Sequence, residues 1–182
     1  MNALKIHLGC GARYIPGFYH IDIQNYPHID RVQNVDNLHF LNSNSVELIY
    51  ASHVLEHYGR FAVNKVLCEW YRVLKPGGIL RLSVPDFAVN AKLYVDDVFP
   101  DGVSNIIGAV NGGQKNAYDF HNVIFDERDL TDRLKLAGFS DVRKWDWRNT
   151  EHSDVDDYSQ AYFPHMDKEN GTLMSLNIEG IK

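Results

Sequence analysis

Five consecutive residues, His53-Val54-Leu55-Glu56-His57, place two imidazoles and a carboxylate at the H-x-x-E-H spacing. On a helix, histidines at i and i+4 share a face and can hold one zinc ion, with the glutamate as base toward a bound water. That chemistry needs a helix, and the context argues against one. Val46-Glu47-Leu48-Ile49-Tyr50-Ala51 is an apolar strand running directly into His53, so the segment is expected to be its exit loop. No third ligand is signalled, and no metal is expected. The same side chains suit a second chemistry, proton removal near neutral pH. His57 and Asp86 are expected just past the carboxyl ends of two adjacent strands. His121, in Asp119-Phe120-His121-Asn122, is a third candidate. His57, Asp86 and His121 are therefore the candidate catalytic residues, although each could equally be a hydrogen-bonded loop or surface group.

A second cluster lies upstream. Leu4-Lys5-Ile6-His7-Leu8 reads as a strand that stops at Gly9-Cys10-Gly11, and His20-Ile21-Asp22-Ile23 is the next short strand. Glycines at a strand exit let a ligand approach the backbone, and an acidic side chain on the neighbouring strand can accept from two vicinal hydroxyls, as in a ribose. A tight strand exit beside a solvated aspartate would look the same. Cys10 reads as a small turn residue with no group nearby to lower its pKa. Ten residues separate Gly11 from Asp22, including Pro16 and Gly17, which leaves no room for a full-length helix. The dinucleotide fingerprint, which needs a third glycine opening a helix, is absent.

The elements that must position these groups follow from periodicity. Arg31 to Val35 is a short third strand. Arg60 to Leu74 reads as a helix, with Val63, Val66, Leu67, Trp70, Val73 and Leu74 on one face. Pro76-Gly77-Gly78 is expected to stop it before the strand Ile79 to Val84. Strand, helix, strand in this order is a βαβ unit, which implies a right-handed crossover and a parallel sheet. Beyond it, Phe87 to Phe99 looks helical and Ser104 to Asn116 loop-like. A helix capped by Asp126 or Asp129 ends at Ala137, with Gly138 beyond it. Asp141 to Trp147 and Leu173 to Ile181 read as late strands, and Asn149 to Gly171 as an acidic surface loop with a short helix. His20, His28, His39, His152 and His165 are expected to be solvated. Asp154, Asp156 and Asp157 are expected to cap or solvate the short helix.

Composition sets the outer bounds. A chain of 182 residues, 45% hydrophobic and 23% charged, is of ordinary globular make-up and fits one domain of roughly 150 residues or somewhat more. Eighteen Lys and Arg against 24 Asp and Glu give a net charge of −6, which offers no footprint for nucleic acid or an anionic membrane. Two cysteines, Cys10 and Cys68, make no disulfide framework. Neither a signal peptide nor an apolar run of about 18 residues is evident. The expectation is a soluble cytoplasmic protein. The aromatic residues Trp145, Trp147, Tyr158, Tyr162 and Phe163 allow a homodimer face.

Taken in order, His7-Leu8-Gly9-Cys10-Gly11, Asp22, Asp36-Asn37-Leu38, Val46 to Tyr50, His53 to His57 and Tyr71-Arg72-Val73-Leu74-Lys75-Pro76-Gly77-Gly78 resemble the class I S-adenosylmethionine (SAM)-dependent methyltransferases. The pattern is most similar to a small subgroup in which the glycine turn runs almost directly into the second strand. The likeness covers roughly residues 4 to 86, and less firmly Leu130 to Phe139 and Ser175 to Lys182. It implies an α/β three-layer sandwich around a mostly parallel seven-stranded sheet of order 3-2-1-4-5-7-6, its last strand antiparallel. One domain would span 1–182, with 1–86 binding SAM and 87–182 shaping the acceptor side.

Carried over by position, Gly9, Cys10 and Gly11 would line the methionine moiety, and Asp22 would take the ribose hydroxyls. Asp36, Asn37 and Leu38 would flank the adenine, with Ser52 and His53 beside the sulfonium. Two features depart from the family pattern: His7 stands where an acidic residue is usual, and the first crossover helix is absent. The resemblance favours methyl transfer to a small-molecule or sugar-containing acceptor, the sugar being suggested only by the subgroup. The two departures favour the alternative, a non-catalytic binding module that keeps the fold. A zinc hydrolase is the third reading.

Overall fold

The structure, a computed structural model, describes residues 3–182. Seven strands form one sheet: β1 (Lys5–Leu8), β2 (Tyr19–Asp22), β3 (Arg31–Val32), β4 (Val46–Ser52), β5 (Leu74–Pro85), β6 (Ser140–Lys144) and, after two short strands, β9 (Ser175–Ile181). The short strands β7 (Tyr162–Phe163) and β8 (Thr172–Leu173) pair only with each other. The sheet order is β3-β2-β1-β4-β5-β9-β6. The first five strands are parallel neighbours, and β9 runs antiparallel between β5 and β6. This is the expected order, with β9 as the seventh strand of the sheet.

The central strands are apolar runs because both their faces are covered. Ile6, Leu8, Ile49, Ala51, Leu80, Leu82, Leu176 and Ile178 belong to one core. Against it pack α1 (Val63–Val73) through Val63, Val66, Leu67, Trp70 and Val73, and α4 (Glu127–Ala137) through Leu130 and Leu134. Asp126 caps α4, its carboxylate accepting from the Asp129 N–H at 2.8 Å, and Gly138 ends the helix.

The opposite face is built differently. No helix intervenes between Gly11 and Tyr19. Ile15 and Phe18 pack in its stead on Leu48 and Tyr50 of β4, joined by Trp145 and Val155. The Ile15 N–H, buried with its turn, donates to His20 Nε2 at 3.0 Å. The segment expected as a surface loop, residues 149–171, completes this layer. His152 lies 4.1 Å from the Tyr50 ring, and the Tyr50 hydroxyl donates to Asp157 at 2.5 Å. His20 and His152 are thus buried, not solvated, because they substitute for the polar and apolar surface of an absent helix. Asp157 does cap the short turn Tyr158–Gln160, accepting from the Ser159 N–H, but it does so inside the protein. Trp145 turns inward as well, its indole N–H donating to Leu82 O at 2.8 Å.

Two more expectations change. Pro76-Gly77-Gly78 is not a helix stop but the bulged start of β5. Leu74 is already extended, and the pairing with β4 jumps from Val46↔Leu74 to Leu48↔Ile79. Proline drives the residue before it out of the helical region, so the helix ends upstream. Gly77 then takes a φ of +77° and donates to Lys182 O. The helix beginning at Phe87 is α2 (Phe87–Val95), four residues shorter than expected. The loop after it contains a 3-10 turn, Gly102–Asn105, and α3 (Ile107–Asn111).

Candidate active site

The carboxyl ends of β1, β2 and β4 open on a cavity of about 370 Å3, the position where open α/β sheets take ligands. β1 leaves the sheet at Gly9, whose φ is +59°. A Cβ there would stand 2.5 Å from Val54 Cγ2, so only glycine lets the exits of β1 and β4 close on each other. Gly11 donates its N–H to Asp22 Oδ2 at 2.7 Å, and Gln24 donates to Asp22 Oδ1 at 2.7 Å. Two backbone donors therefore hold the Asp22 carboxylate in one orientation on the cavity wall. It keeps lone pairs for two further donors.

Gly9, Cys10, Gly11, Asp22, Ser52 and His53 all line this cavity, as does His7. Burial holds the His7 imidazole well below its ordinary pKa, so it is neutral, and its Nδ1 has no hydrogen-bond partner among the described residues. Cys10 is buried and its thiol is pushed up to about 12, chiefly by burial, which makes it inert packing.

Asp36, Asn37 and Leu38 stand elsewhere. Leu38 is fully buried in the core with its N–H on Glu69, and Asp36 and Asn37 are exposed outside the cavity. Asn34 and Val35 form the wall in their place. Val35 O accepts from the Trp70 indole at 2.8 Å, and Asn34 Oδ1 accepts from the Tyr58 hydroxyl at 2.6 Å. The displacement follows from β3 being only two residues long, so the chain crosses the sheet edge earlier than spacing suggests.

At the other end, His53 follows β4 in a left-handed conformation, φ +55°, and leads into the 3-10 turn Leu55–His57. Its Nε2 lies 2.9 Å from Ser175 Oγ, and its Nδ1 lies 3.2 Å from Glu56 Oε1. Burial pushes His53 down to about 3 and Glu56 up to about 8. His57 is on the cavity wall with Nδ1 3.0 Å from Phe120 O. His121 lies behind it, rings 5.0 Å apart, with Nδ1 3.0 Å from Ala109 O. Asn122 ties the two segments together, accepting nothing here but donating its N–H to Glu56 O and its amide to His57 O. The fold thus brings His57 and His121 together.

Asp86 is not with them. Its carboxylate accepts from the Val89 N–H as the N-cap of α2, away from the cavity.

Several wall residues carry no motif. Arg13 stacks on Tyr158 at 5.1 Å and donates to Asp156 O, strapping the glycine turn to the 156–158 segment. Tyr118, Phe120 and Tyr158 ring the mouth, all partly exposed.

The sheet order is that of the class I, Rossmann-like methyltransferase fold. Residues 8–82 match the family model described as a methyltransferase domain. No curated protein matches the chain in sequence. Among solved structures it is similar to a SAM-dependent methyltransferase, possible histamine N-methyltransferase, from Thermotoga maritima. The TM-score is 0.61 and the identity 15%, over 100% of this chain and 83% of that one. A SAM-dependent methyltransferase from Archaeoglobus fulgidus gives 0.59 at 14% identity, over 99% and 86%. The 1,6-didemethyltoxoflavin-N1-methyltransferase of Burkholderia thailandensis, solved with bound 1,6-didemethyltoxoflavin and S-adenosylhomocysteine, gives 0.58 at 13%, over 99% and 71%. At these identities the likeness establishes the fold. Among the described residues no helix is long and apolar enough to cross a membrane.

Proposed function

We propose that this chain transfers the methyl group of SAM to a small-molecule acceptor, with the terminal ring of a saccharide as the acceptor class best suited to the mouth. The observation that carries the reading is the Gly11–Asp22 clamp at one end of a cavity whose other end is His53 and His57. Asp22 takes the ribose hydroxyls, Gly9 and Gly11 leave room for the methionine chain, and the neutral Nδ1 of His7 accepts from its amino group. Asn34 and Val35 bound the adenine.

The reaction is an in-line displacement: the acceptor's lone pair forms a bond to the methyl carbon, the carbon–sulfur bond breaks, and S-adenosylhomocysteine leaves. Alignment of acceptor, carbon and sulfur supplies most of the acceleration. Tyr118, Phe120 and Tyr158 supply apolar ring faces at the mouth, suited to a sugar's C–H surface. A cavity of about 370 Å3 excludes a macromolecular acceptor except through a narrow end group. Two unpaired thiols, Cys10 and Cys68, suit a reducing compartment such as the cytoplasm.

Calorimetry with SAM and S-adenosylhomocysteine tests this. Both are expected to bind the full chain and to lose roughly tenfold or more in affinity on Asp22→Ala, the cost of a charged hydrogen-bond acceptor. Absence of binding at millimolar ligand would overturn the cofactor assignment. Binding without turnover on any glycoside or small hydroxylated acceptor would favour a binding module.

A further inference from the structure

Glu56 is 1% exposed, and neither of its carboxylate oxygens has a hydrogen-bond partner among the described residues. Buried carboxylates are ordinarily paired, hydrogen-bonded or bound to a metal. Three imidazoles surround this one. His53 Nδ1 is 3.2 Å and His121 Nε2 3.9 Å from Oε1, and one ligand atom each of Glu56, His57 and His121 lies within 4.8 Å of the others.

The tautomers are dictated by what each ring touches on its far side. A backbone carbonyl can only accept, so the 3.0 Å contacts to Phe120 O and Ala109 O put the proton on Nδ1 of both His57 and His121. Their Nε2 lone pairs are left bare. Ser175 Oγ spends its proton on Tyr158 O at 2.6 Å, so it accepts from Nε2–H of His53, and His53 Nδ1 is bare toward Glu56. The rings around the Glu56 carboxylate therefore offer it no N–H donor: His53 Nδ1 and His121 Nε2, the nitrogens nearest Oε1, are both bare. One proton on Glu56 can satisfy one of these contacts; a cation between Glu56, His57 and His121 satisfies three groups at once. An N–H donated outward to a carbonyl is also how metal-ligating histidines are held.

We propose that Glu56, His57 and His121 bind a divalent first-row transition-metal ion. A nitrogen-rich set with one carboxylate suits zinc, cobalt, nickel or iron over calcium and magnesium. A tetrahedral ion with bonds near 2.1 Å separates its ligand atoms by about 3.4 Å, so the side chains close by an ångström or so on binding. The residues come from two places, the exit of β4 and the segment after α3, so the ion pins the acceptor-side segment to the sheet. Three protein ligands leave the fourth position of a tetrahedral ion open, and His57 lines the cavity, so that position faces it. Resting on the methyltransferase reading, the ligand for that position is an oxygen atom of the acceptor.

The test uses the full chain, stripped with a chelator and dialysed, then titrated with Zn2+ by calorimetry and with Co2+ by visible absorption. One equivalent is expected to bind, with cobalt d–d bands and a raised Tm. Glu56→Gln and His121→Gln should each weaken binding by at least about tenfold, while His165→Gln, on an exposed histidine, leaves it unchanged. Binding of S-adenosylhomocysteine by the variants shows that they are folded and separates this site from the cofactor site. Should Glu56→Gln fail to fold, His121→Gln decides alone. No stoichiometric ion, or equal affinity in His121→Gln and the parent, overturns the proposal.

Discussion

Asp22 and Gly9 show how single residues set the cofactor end. The Asp22 carboxylate is held by two backbone donors, so on the proposed reading its hydrogen bonds to a ribose would require no reorganisation. Gly9 has no substitute: Gly9→Ala meets Val54 Cγ2 at 2.5 Å while keeping a positive φ. A loss of roughly 2 kcal/mol or more in denaturant unfolding is expected. The buried histidines make a second residue-scale prediction. Burial holds His152 down at about 4, against about 6.5 in an unfolded chain. The folded state therefore favours the neutral ring. That stabilisation is complete above about pH 6.5 and is lost as pH falls toward 4, for a contribution of roughly 3 kcal/mol. His152→Gln is expected to flatten the pH dependence of stability across that window; an unchanged slope would count against it. The meeting of Gly9, Gly11 and Asp22 on one cavity wall could be read from sequence because a strand exit and an acidic neighbour have local signatures. The Asn34–Val35 wall has none, since it depends on where a two-residue strand lets the chain turn.

At the scale of elements, the absent helix after β1 is the feature with most consequence. Its shortage of residues is visible in the ten positions between Gly11 and Asp22, but what replaces it is not. Ile15 and Phe18 look like loop residues in sequence and are core in the fold. Residues 149–171 look acidic and solvated, yet they bury His152, Asp157, Ser159 and Gln160. Irregular segments have no period, so their burial leaves no trace in a pattern. The regular strands were legible because apolar runs report coverage on both faces. Phe18→Ala should therefore behave as a core truncation, costing about 3 kcal/mol in denaturant melts. It should also weaken S-adenosylhomocysteine, because His7 on the cavity wall lies edge-on to that ring, centroids 6.5 Å apart. A surface-like effect under about 0.5 kcal/mol would deny the substitution of turn for helix.

For the whole molecule, the sheet works as a platform on which distant segments meet. β1, β2 and β4 bring Gly9, Cys10, Gly11, Asp22, Ser52 and His53 to one cavity by parallel pairing, whereas Asp36, Asn37 and Leu38, beyond the two-residue β3, fall outside it. The His53–His57 side of the cavity draws on Ser175 from β9, His121 from the segment after α3 and Tyr158 from the irregular layer. Those meetings are tertiary, and neither His121's place beside Glu56 nor Asp86's use as a helix cap is written in local spacing. The central claim is that one cavity holds SAM with its ribose on Asp22 and its sulfur toward His53 and His57. A crystal structure of the full chain with S-adenosylhomocysteine tests it most directly. The account predicts both ribose hydroxyls within hydrogen-bond distance of the Asp22 carboxylate and the sulfur facing the His53–His57 end of the cavity. A nucleoside bound away from Asp22, or a sulfur pointing away from the two histidines, would contradict it.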